Sequence, residues 1–262
     1  MVHNRARSGA STEITVSSTN AKTAQLRLAV EKRLAEADPA LGRVIAAVVA
    51  RIGPQRIAPS RASPFEALVR AVTYQSVSGK AAAAIFTRLS EAITRPLTPS
   101  KVVAIPPRTL VKTGLSRAKA KTIGELARWF MSNRKLAKNL RALPDNEVVE
   151  HLTAIVGIGA WTVNVLLIFN LGRRDVMPAA DMGIRRGVQL TDGLRAIATP
   201  NQVIERSRAW APHRSIASIY LWQATRLGLG PNDLKRAFVA PSPVTNTNTD
   251  AAARGSSSRL SR

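Results

Sequence analysis

The chain has 262 residues, of which 45% are hydrophobic, which is enough for one large domain or two small ones with an apolar core. Lys and Arg number 39 against 16 Asp and Glu, and the formal net charge of +23 indicates a polyanionic partner. The absence of cysteine excludes disulfides, zinc–thiolate sites and iron–sulfur clusters. The longest apolar run, residues 44–50, is too short to cross a bilayer, and the N-terminus lacks a signal-peptide layout, so no membrane partner is expected.

Both ends of the chain are predicted to be disordered tails. Residues 1–20 and 241–262 are rich in Ser, Thr, Asn and Arg and show little apolar periodicity. Together they carry five basic and two acidic residues, so most of the positive charge belongs to residues 21–240. Residues 21–240 are therefore expected to form a single basic, folded domain.

This domain is predicted to be all-helical. Residues 41–52 carry apolar side chains at helical spacing. Ser63–Glu66 has the pattern of a capping box with proline at the first helical position, and polar residues 73–78 separate the helix that follows from an alanine-rich one over residues 79–92. Four prolines then predict short turns before a helix capped by Ser116.

The second half of the chain continues the helical pattern. Helices are predicted after Pro144, after a capping box at Thr199–Gln202, and from Pro212 to about Leu227, and no alternating strand pattern is present. The segment between Ile105 and Pro144 holds ten basic residues and one acid. It could be a nucleic-acid-facing surface or an ordinary solvated helix face.

Two glycines interrupt the apolar stretch over residues 152–163. Helical spacing leads into Gly157 and Gly159, and apolar residues then continue long enough for a second helix, which predicts helix–hairpin–helix over about residues 147–171. Glycines permit positive φ and close approach of another molecule, and the free N–H groups of the second helix can face a phosphate. Taken alone, two glycines are also what an ordinary glycine-capped turn requires.

The continuation of this hairpin resembles the helix-hairpin-helix DNA glycosylase superfamily, and most of all its 3-methyladenine DNA glycosylase II branch. The matching residues are Leu-x-x-Ile-x-Gly-Ile-Gly-x-Trp-Thr, the helix after it, and the segment 175–185 around Asp181, within a resemblance that covers about residues 60–230. It implies an all-α, two-lobed fold with a cleft between the lobes. It also implies damaged double-stranded DNA as the partner, a monomer, and a cytoplasmic, nucleoid-associated location, or a nuclear one in a eukaryote.

Asp181 is the candidate catalytic residue. An aspartate before a helix is usually an N-cap, but the catalytic aspartate of the superfamily lies at this point beyond the hairpin, and the two roles can coexist. A carboxylate beneath the sugar stabilises the positive charge that develops during N-glycosidic cleavage and can orient or deprotonate the attacking water. Because no second carboxylate, histidine or metal site is positioned with it in the sequence, Asp181 suits a cationic, alkylated purine that departs readily.

The resemblance implies a base pocket formed by Tyr74, Trp161, Trp222 and Met182, although both tryptophans could equally be core residues. Superfamily members that also cut the DNA strand carry a lysine nucleophile at the position of Trp161. The tryptophan therefore predicts hydrolysis of the base without lyase activity.

The hairpin residues Gly157, Ile158, Gly159 and Thr162 are implied to hold a phosphate of the damaged strand. The family often binds a monovalent cation at the hairpin carbonyls, and no other cofactor or metal is expected.

The segment Tyr74-Gln-Ser-Val-Ser78 resembles the family's DNA wedge, usually Gly-Gln-Gln-Leu-Ser. Gln75 and Ser76 are the wedge candidates, and Gln75 is expected to act alone because serine is too small to fill the gap left by a flipped base. Two alternatives stay open at this point. The chain could be a non-catalytic helix-hairpin-helix DNA-binding protein in which Asp181 is only a cap, or a glycosylase for deaminated or oxidised bases.

Overall fold

The computed structural model describes residues 10–237, and it describes side chains from residue 24 onward. Within this range the chain forms fourteen α-helices, one short 3₁₀ turn and no strand. The helices are α1 (Ala10–Ala37), α2 (Pro39–Ile52), α3 (Pro64–Tyr74), α4 (Gly79–Ile93), α5 (Pro99–Ala104), α6 (Pro107–Lys112), α7 (Arg117–Ser132), α8 (Arg134–Asn139), α9 (Asp145–Thr153), α10 (Ala160–Phe169), α11 (Met182–Asp192), α12 (Pro200–Ser207), α13 (Arg214–Arg226) and α14 (Pro231–Arg236).

Helix α1 extends into a segment that the sequence predicted to be disordered. Residues 10–20 were expected to belong to a disordered tail, but the structure places them in α1. The physical reason is that no Gly or Pro occurs between residues 10 and 37, so nothing in the sequence ends a helix that extends back from the packed part of α1. Residues 1–9 and the predicted tail 241–262 lie outside the described residues.

Local capping signals in the sequence define most helix starts. Ser63 accepts a hydrogen bond from the backbone N–H of Glu66, Ser116 caps α7, and Thr199 forms a complete capping box with Gln202. The proline-rich region predicted to form short turns instead contains α5 and α6. Each begins with a proline at its first position, where the missing N–H has no cost.

The helices pack into two lobes. Helices α3 to α10 contact one another and form one lobe, which we call the hairpin lobe because α9 and α10 flank the two glycines. Helices α1, α2 and α11 to α14 come from the two ends of the described chain and form the other, here called the terminal lobe. The chain therefore crosses between lobes twice, before α3 and after α10, and the segment before α11 lies at the second crossing.

Two buried polar clusters fix the terminal lobe. Asp38 caps α2 and also accepts hydrogen bonds from Arg206, at 2.6 Å, and from the indole of the fully buried Trp210, at 2.7 Å. Tyr220 of α13, also fully buried, donates its hydroxyl hydrogen to Glu31 of α1. The Tyr220–Glu31 contact ties α1 to α13, the helix that carries Trp222 into the cleft. None of the helices in the described range combines the length and apolar character needed to cross a membrane.

Candidate active site

A cavity of about 790 Å³ lies in the cleft between the two lobes. Helices α3, α4 and α10 line it from the hairpin lobe, and α13 lines it from the terminal lobe. Five aromatic side chains line the cavity. The hairpin lobe supplies Tyr74, Phe86, Trp161 and Phe169, and the terminal lobe supplies Trp222. An aromatic cavity that both lobes are needed to complete is suited to hold a flat heterocycle.

Asp181 is the N-cap of α11 and is half-buried beside this cavity. Its Oδ1 accepts the backbone N–H of Ile184 at 2.9 Å and the indole N–H of Trp222 at 2.7 Å. Its Oδ2 accepts the indole N–H of Trp161 at 2.6 Å. The capping role expected of an aspartate at this position is therefore confirmed, and the same carboxylate joins one tryptophan from each lobe.

The two oxygens of Asp181 are not equally occupied. A carboxylate oxygen has two lone-pair directions, so Oδ1 is saturated by its two donors while Oδ2 keeps one direction open. Among residues 24–237, no Lys, Arg or His lies within ion-pair distance of this carboxylate. All three protein donors are neutral, so the negative charge of Asp181 is available to a cation that enters the site.

Trp161 and Trp222 face the cavity while their polar edges are bound to Asp181. Trp222 also packs against Phe169 with ring centroids 5.6 Å apart. Gly183, in the first turn of α11, makes this arrangement possible, because a Cβ there would lie 2.9 Å from the Trp222 ring and 3.1 Å from Asp181 Oδ1. The structure thus brings both predicted tryptophans to the cleft, and neither belongs to the fully buried core.

The two other residues predicted for the base pocket differ in position. Tyr74 lines the cavity, and its hydroxyl accepts a hydrogen bond from Arg70 at 3.1 Å. Met182 is 46% exposed and does not line the cavity, although it follows Asp181 directly. Met182 is the first residue of α11, and its exposure places it at the surface and not in the cavity lining.

The two hairpin glycines differ in what a larger residue would meet at each position. Gly157 has φ of +88°, and a Cβ on it would lie 2.0 Å from the hydroxyl oxygen of Thr122 on α7. Gly159 has φ of −97°, and a Cβ on it would meet nothing within 4 Å. Gly157 is required by the fold, whereas Gly159 leaves open space before the N-terminus of α10, which no side chain caps.

Two other predicted hairpin residues are occupied within the protein. The side chain of Ile158 is buried, and its backbone N–H donates to the carbonyl of Ile155 at 3.0 Å. Thr162 is also buried, and its hydroxyl oxygen accepts a hydrogen bond from the Gln75 amide at 2.9 Å. Neither the N–H of Ile158 nor the side chain of Thr162 is therefore directed to solvent in this structure.

The predicted wedge segment is tied to the hairpin. The Gln75 amide donates to Thr162 and, at 3.4 Å, to the carbonyl of Gly157, so this side chain lies against the hairpin. Ser76 is exposed, and its φ of +51° places it at the tip of the turn between α3 and α4. Lys119 of α7 connects this segment to α7, because its ammonium group donates to the carbonyls of Thr73, at 2.9 Å, and Gln75, at 2.6 Å.

Burial lowers the pKa of the Lys119 ammonium group from its usual value. In the sequence this lysine is one of ten basic residues in its segment, and no local pattern distinguishes it. Glu66, Arg70 and Phe169 were likewise not predicted as cavity residues. Their helical spacing on α3 and α10 was visible, but no local pattern states which face of a helix will meet a cleft.

Comparison with known proteins gives a consistent assignment. The model of the family described as HhH-GPD superfamily base excision DNA repair protein matches residues 69–213. DNA-3-methyladenine glycosylase 1 of Schizosaccharomyces pombe is 37% identical over 167 residues, which cover 63% of this chain and 73% of that protein.

Two solved structures share the fold over most of their length. The S. pombe 3-methyladenine DNA glycosylase Mag1, solved in complex with abasic DNA, has a TM-score of 0.67 and 34% identity, covering 75% of this chain and 96% of its own. A DNA-3-methyladenine glycosidase from Bacillus halodurans has a TM-score of 0.65 and 29% identity, covering 78% and 94%. The chain therefore belongs to the HhH-GPD superfamily of base excision DNA repair proteins.

Proposed function

We propose that this protein is a monofunctional DNA glycosylase that removes alkylated purines, of the 3-methyladenine and 7-methylguanine type, from double-stranded DNA. The observation that carries the proposal is the Asp181 carboxylate, held by two cavity tryptophans and free of any cation among the described residues. The names of the relatives support the substrate class, and the S. pombe structure with abasic DNA supports DNA as the partner.

The chemistry assigned to Asp181 is charge stabilisation at the sugar. Breaking the N-glycosidic bond leaves positive charge on the sugar ring, and an unpaired carboxylate in a cleft stabilises that charge. The open lone-pair direction on Oδ2 is where a water molecule would be oriented for attack. Its fixed geometry avoids the cost of reorganising the carboxylate during the reaction.

The leaving base requires little help if it is already cationic. A purine alkylated at N3 or N7 carries a positive charge, and breaking its bond to the sugar neutralises it. The aromatic walls of the cavity offer faces on which such a flat cation stacks favourably. Alkylated purines are thus the substrates that this combination of one carboxylate and several aromatic rings suits best.

The absence of lyase activity is part of the proposal. Strand cleavage of the Schiff-base type needs an amine at the sugar. By the family resemblance Trp161 stands at the position of that amine, and no lysine lines the cavity among the described residues. Lys119 has a lowered pKa but directs its amine to two backbone carbonyls.

The hairpin is proposed to hold the DNA backbone. The open space at Gly159 and the uncapped N-terminus of α10 suit a phosphate group. A monovalent cation at the hairpin carbonyls stays a prediction of the family resemblance. Since one copy of the chain supplies both lobes of the cleft, we expect a monomer to be sufficient.

The test is base release from duplexes that carry 7-methylguanine or 3-methyladenine. Wild-type protein should release the base, and strand breaks should appear only after alkali. Asp181→Asn keeps the size of the side chain but removes its charge, so the single-turnover rate should fall by at least about 100-fold while DNA affinity stays nearly unchanged.

Asp192→Asn, at the opposite end of α11, is the matched control, because Asp192 pairs with Arg206 away from the cavity. It should release the base at the wild-type rate. No release by the wild type, with DNA binding intact, would instead indicate another lesion class or a non-catalytic DNA-binding protein. Strand breaks before alkali would contradict the monofunctional assignment.

A further inference from the structure

Four charged side chains line the cleft cavity, and the basic ones differ from the acidic one in exposure. Three of them are arginines, and all three are exposed at its rim: Arg70, Arg95 and Arg226. The fourth is Glu66, which is half-buried. The cavity lining therefore combines three exposed arginines, which suit DNA phosphates, with one less exposed carboxylate, which would repel a phosphate.

Glu66 is not used as its local sequence would predict. Ser63–Glu66 has the capping-box pattern, and Ser63 does accept the backbone N–H of Glu66 at 3.1 Å. The return hydrogen bond, from the N–H of Ser63 to the Glu66 carboxylate, is not formed. By contrast, Thr199 and Gln202 make both bonds of the same motif. The Glu66 side chain is thus released from the capping role and lies on the cavity wall.

The Glu66 carboxylate has no bonded partner among the side chains that the structure describes. Within residues 24–237, Glu66 accepts no side-chain hydrogen bond and forms no ion pair. Arg70, one helical turn further along α3, would be its natural partner. The Arg70 guanidinium instead donates to the hydroxyl of Tyr74 and lies over the rings of Tyr74, at 4.9 Å, and Phe86, at 5.3 Å.

We propose that Glu66 is a specificity-determining residue that selects the positive charge of the flipped purine. Its carboxylate accepts a hydrogen bond from an N–H group on the edge of the base and offsets the charge that alkylation places on the ring. This inference rests on the proposed function and adds a second carboxylate to it. Asp181 acts at the sugar, whereas Glu66 acts at the base.

The selection follows from desolvation. A cationic base that leaves water for an aromatic cavity loses hydration, and an unpaired carboxylate in the wall compensates for it, whereas a neutral base gains much less. Hydrogen bonds between charged partners correspond to about a 10- to 100-fold change in affinity. Glu66 should therefore contribute mainly to discrimination between charged and uncharged purines of the same shape.

The test measures that discrimination directly. Two duplexes are compared by fluorescence anisotropy. One holds 2′-fluoro-7-methylguanosine, a cationic lesion whose sugar bond resists cleavage, and the other holds the uncharged isostere 7-methyl-7-deazaguanosine. Wild-type protein should bind the cationic duplex more tightly, and Glu66→Gln should reduce that preference about tenfold or more. The Gln side chain keeps the shape of Glu66, and the Ser63 cap to the backbone of residue 66 remains, so α3 should stay folded.

Glu91→Gln is the control, because Glu91 is an exposed glutamate on α4 outside the cavity. It should keep the wild-type preference. An unchanged preference in Glu66→Gln, or no preference in the wild type, would overturn the role of Glu66. Failure of the proposed function is seen separately, as absence of 7-methylguanine release by the wild type, because that assay involves no substitution at Glu66.

Discussion

At the scale of single residues, the geometry of the site depends on the hydrogen bonds that hold the two carboxylate oxygens of Asp181. Asp181 is a helix cap through one oxygen and a ligand of two indoles through both, so its position is set before any DNA is bound. One lone-pair direction is left for chemistry. The capping contact is compatible with the catalytic role that we propose for Asp181, because the same contact holds its carboxylate in a fixed orientation.

His213 provides a residue-scale prediction about pH. Burial lowers its pKa, and the nearby charges of Arg174 and Arg33 lower it further, while Asp175 acts in the opposite direction. The folded protein thus binds the proton less tightly than the unfolded chain, whose histidine titrates near 6.5. Because the unfolded state holds more protons below that pH, the free energy of unfolding should fall as the pH is lowered through it.

The measurement is urea unfolding of the wild type and of His213→Gln between pH 5 and 8. The difference between the two free energies of unfolding should be constant above about pH 7.5 and should shift against the wild type below about pH 6.5. A difference that does not change with pH would show that His213 has an ordinary pKa in the folded protein.

The sequence predicts some of these residues and not others for a physical reason. Asp181 and Trp161 lie in one continuous motif around the hairpin, so a pattern can specify them. Trp222 follows Asp181 by 41 positions, and only the family resemblance connected them. Glu66 was taken as half of a capping box, because a sequence motif does not show whether the reciprocal hydrogen bond forms once α3 packs against a cleft.

At the scale of elements, the helix-hairpin-helix was predicted closely. It was expected over about residues 147–171, and α9 and α10 span Asp145–Phe169 around the two glycines. What the sequence did not show is the support beneath it. Thr122 packs against Gly157, and Lys119, one turn earlier on α7, holds the end of α3. These contacts join segments separated by more than thirty residues, which no local period encodes.

The wedge role of Gln75 stays a prediction. Gln75 is expected to enter the DNA stack, and in this structure its amide donates to Thr162 and to the carbonyl of Gly157 in the hairpin. Its insertion would require those two hydrogen bonds to break. Ser76 is the exposed residue at the turn, and its positive φ is one that serine adopts only under the constraint of neighbouring structure.

The two hairpin glycines yield a paired prediction. Gly157→Ala combines a positive φ with a collision against Thr122, so it should lower the free energy of unfolding by roughly 2–5 kcal/mol. Gly159→Ala has neither problem and should change it by less than about 0.5 kcal/mol. Its methyl group should instead weaken DNA binding, because it fills the space proposed for a phosphate.

Urea unfolding and anisotropy titration with a duplex that contains a tetrahydrofuran abasic analogue, applied to both variants, test this pair. Equal losses of stability would contradict the distinction between a glycine needed for folding and one needed for access. Wild-type DNA affinity in Gly159→Ala would remove that position from the interface, with the fold assignment left intact.

At the scale of the whole molecule, charge and architecture serve the same purpose. The net charge of +23 attracts a polyanion from a distance, but charge alone does not say where it binds. The two-lobed fold places three exposed arginines around one cavity, and we expect the DNA to bind there. Composition indicates the kind of partner. The expected location of the interface could not be predicted from composition, because it depends on the packing of α3, α4 and α13 around the cavity.

The salt dependence of DNA binding tests this view. Each phosphate neutralised by a free cation contributes about 0.9 to the slope of the logarithm of the association constant against the logarithm of the salt concentration. Arg95→Gln and Arg226→Gln, at the cavity rim, should each reduce that slope by about 1. Arg208→Gln should leave it unchanged, because Arg208 is also exposed but is paired with Glu205 at 3.1 Å. If all three variants kept the same slope, DNA would not reach the rim of the cleft. A nearly flat slope in the wild type would mean that DNA binding does not depend on the positive charge.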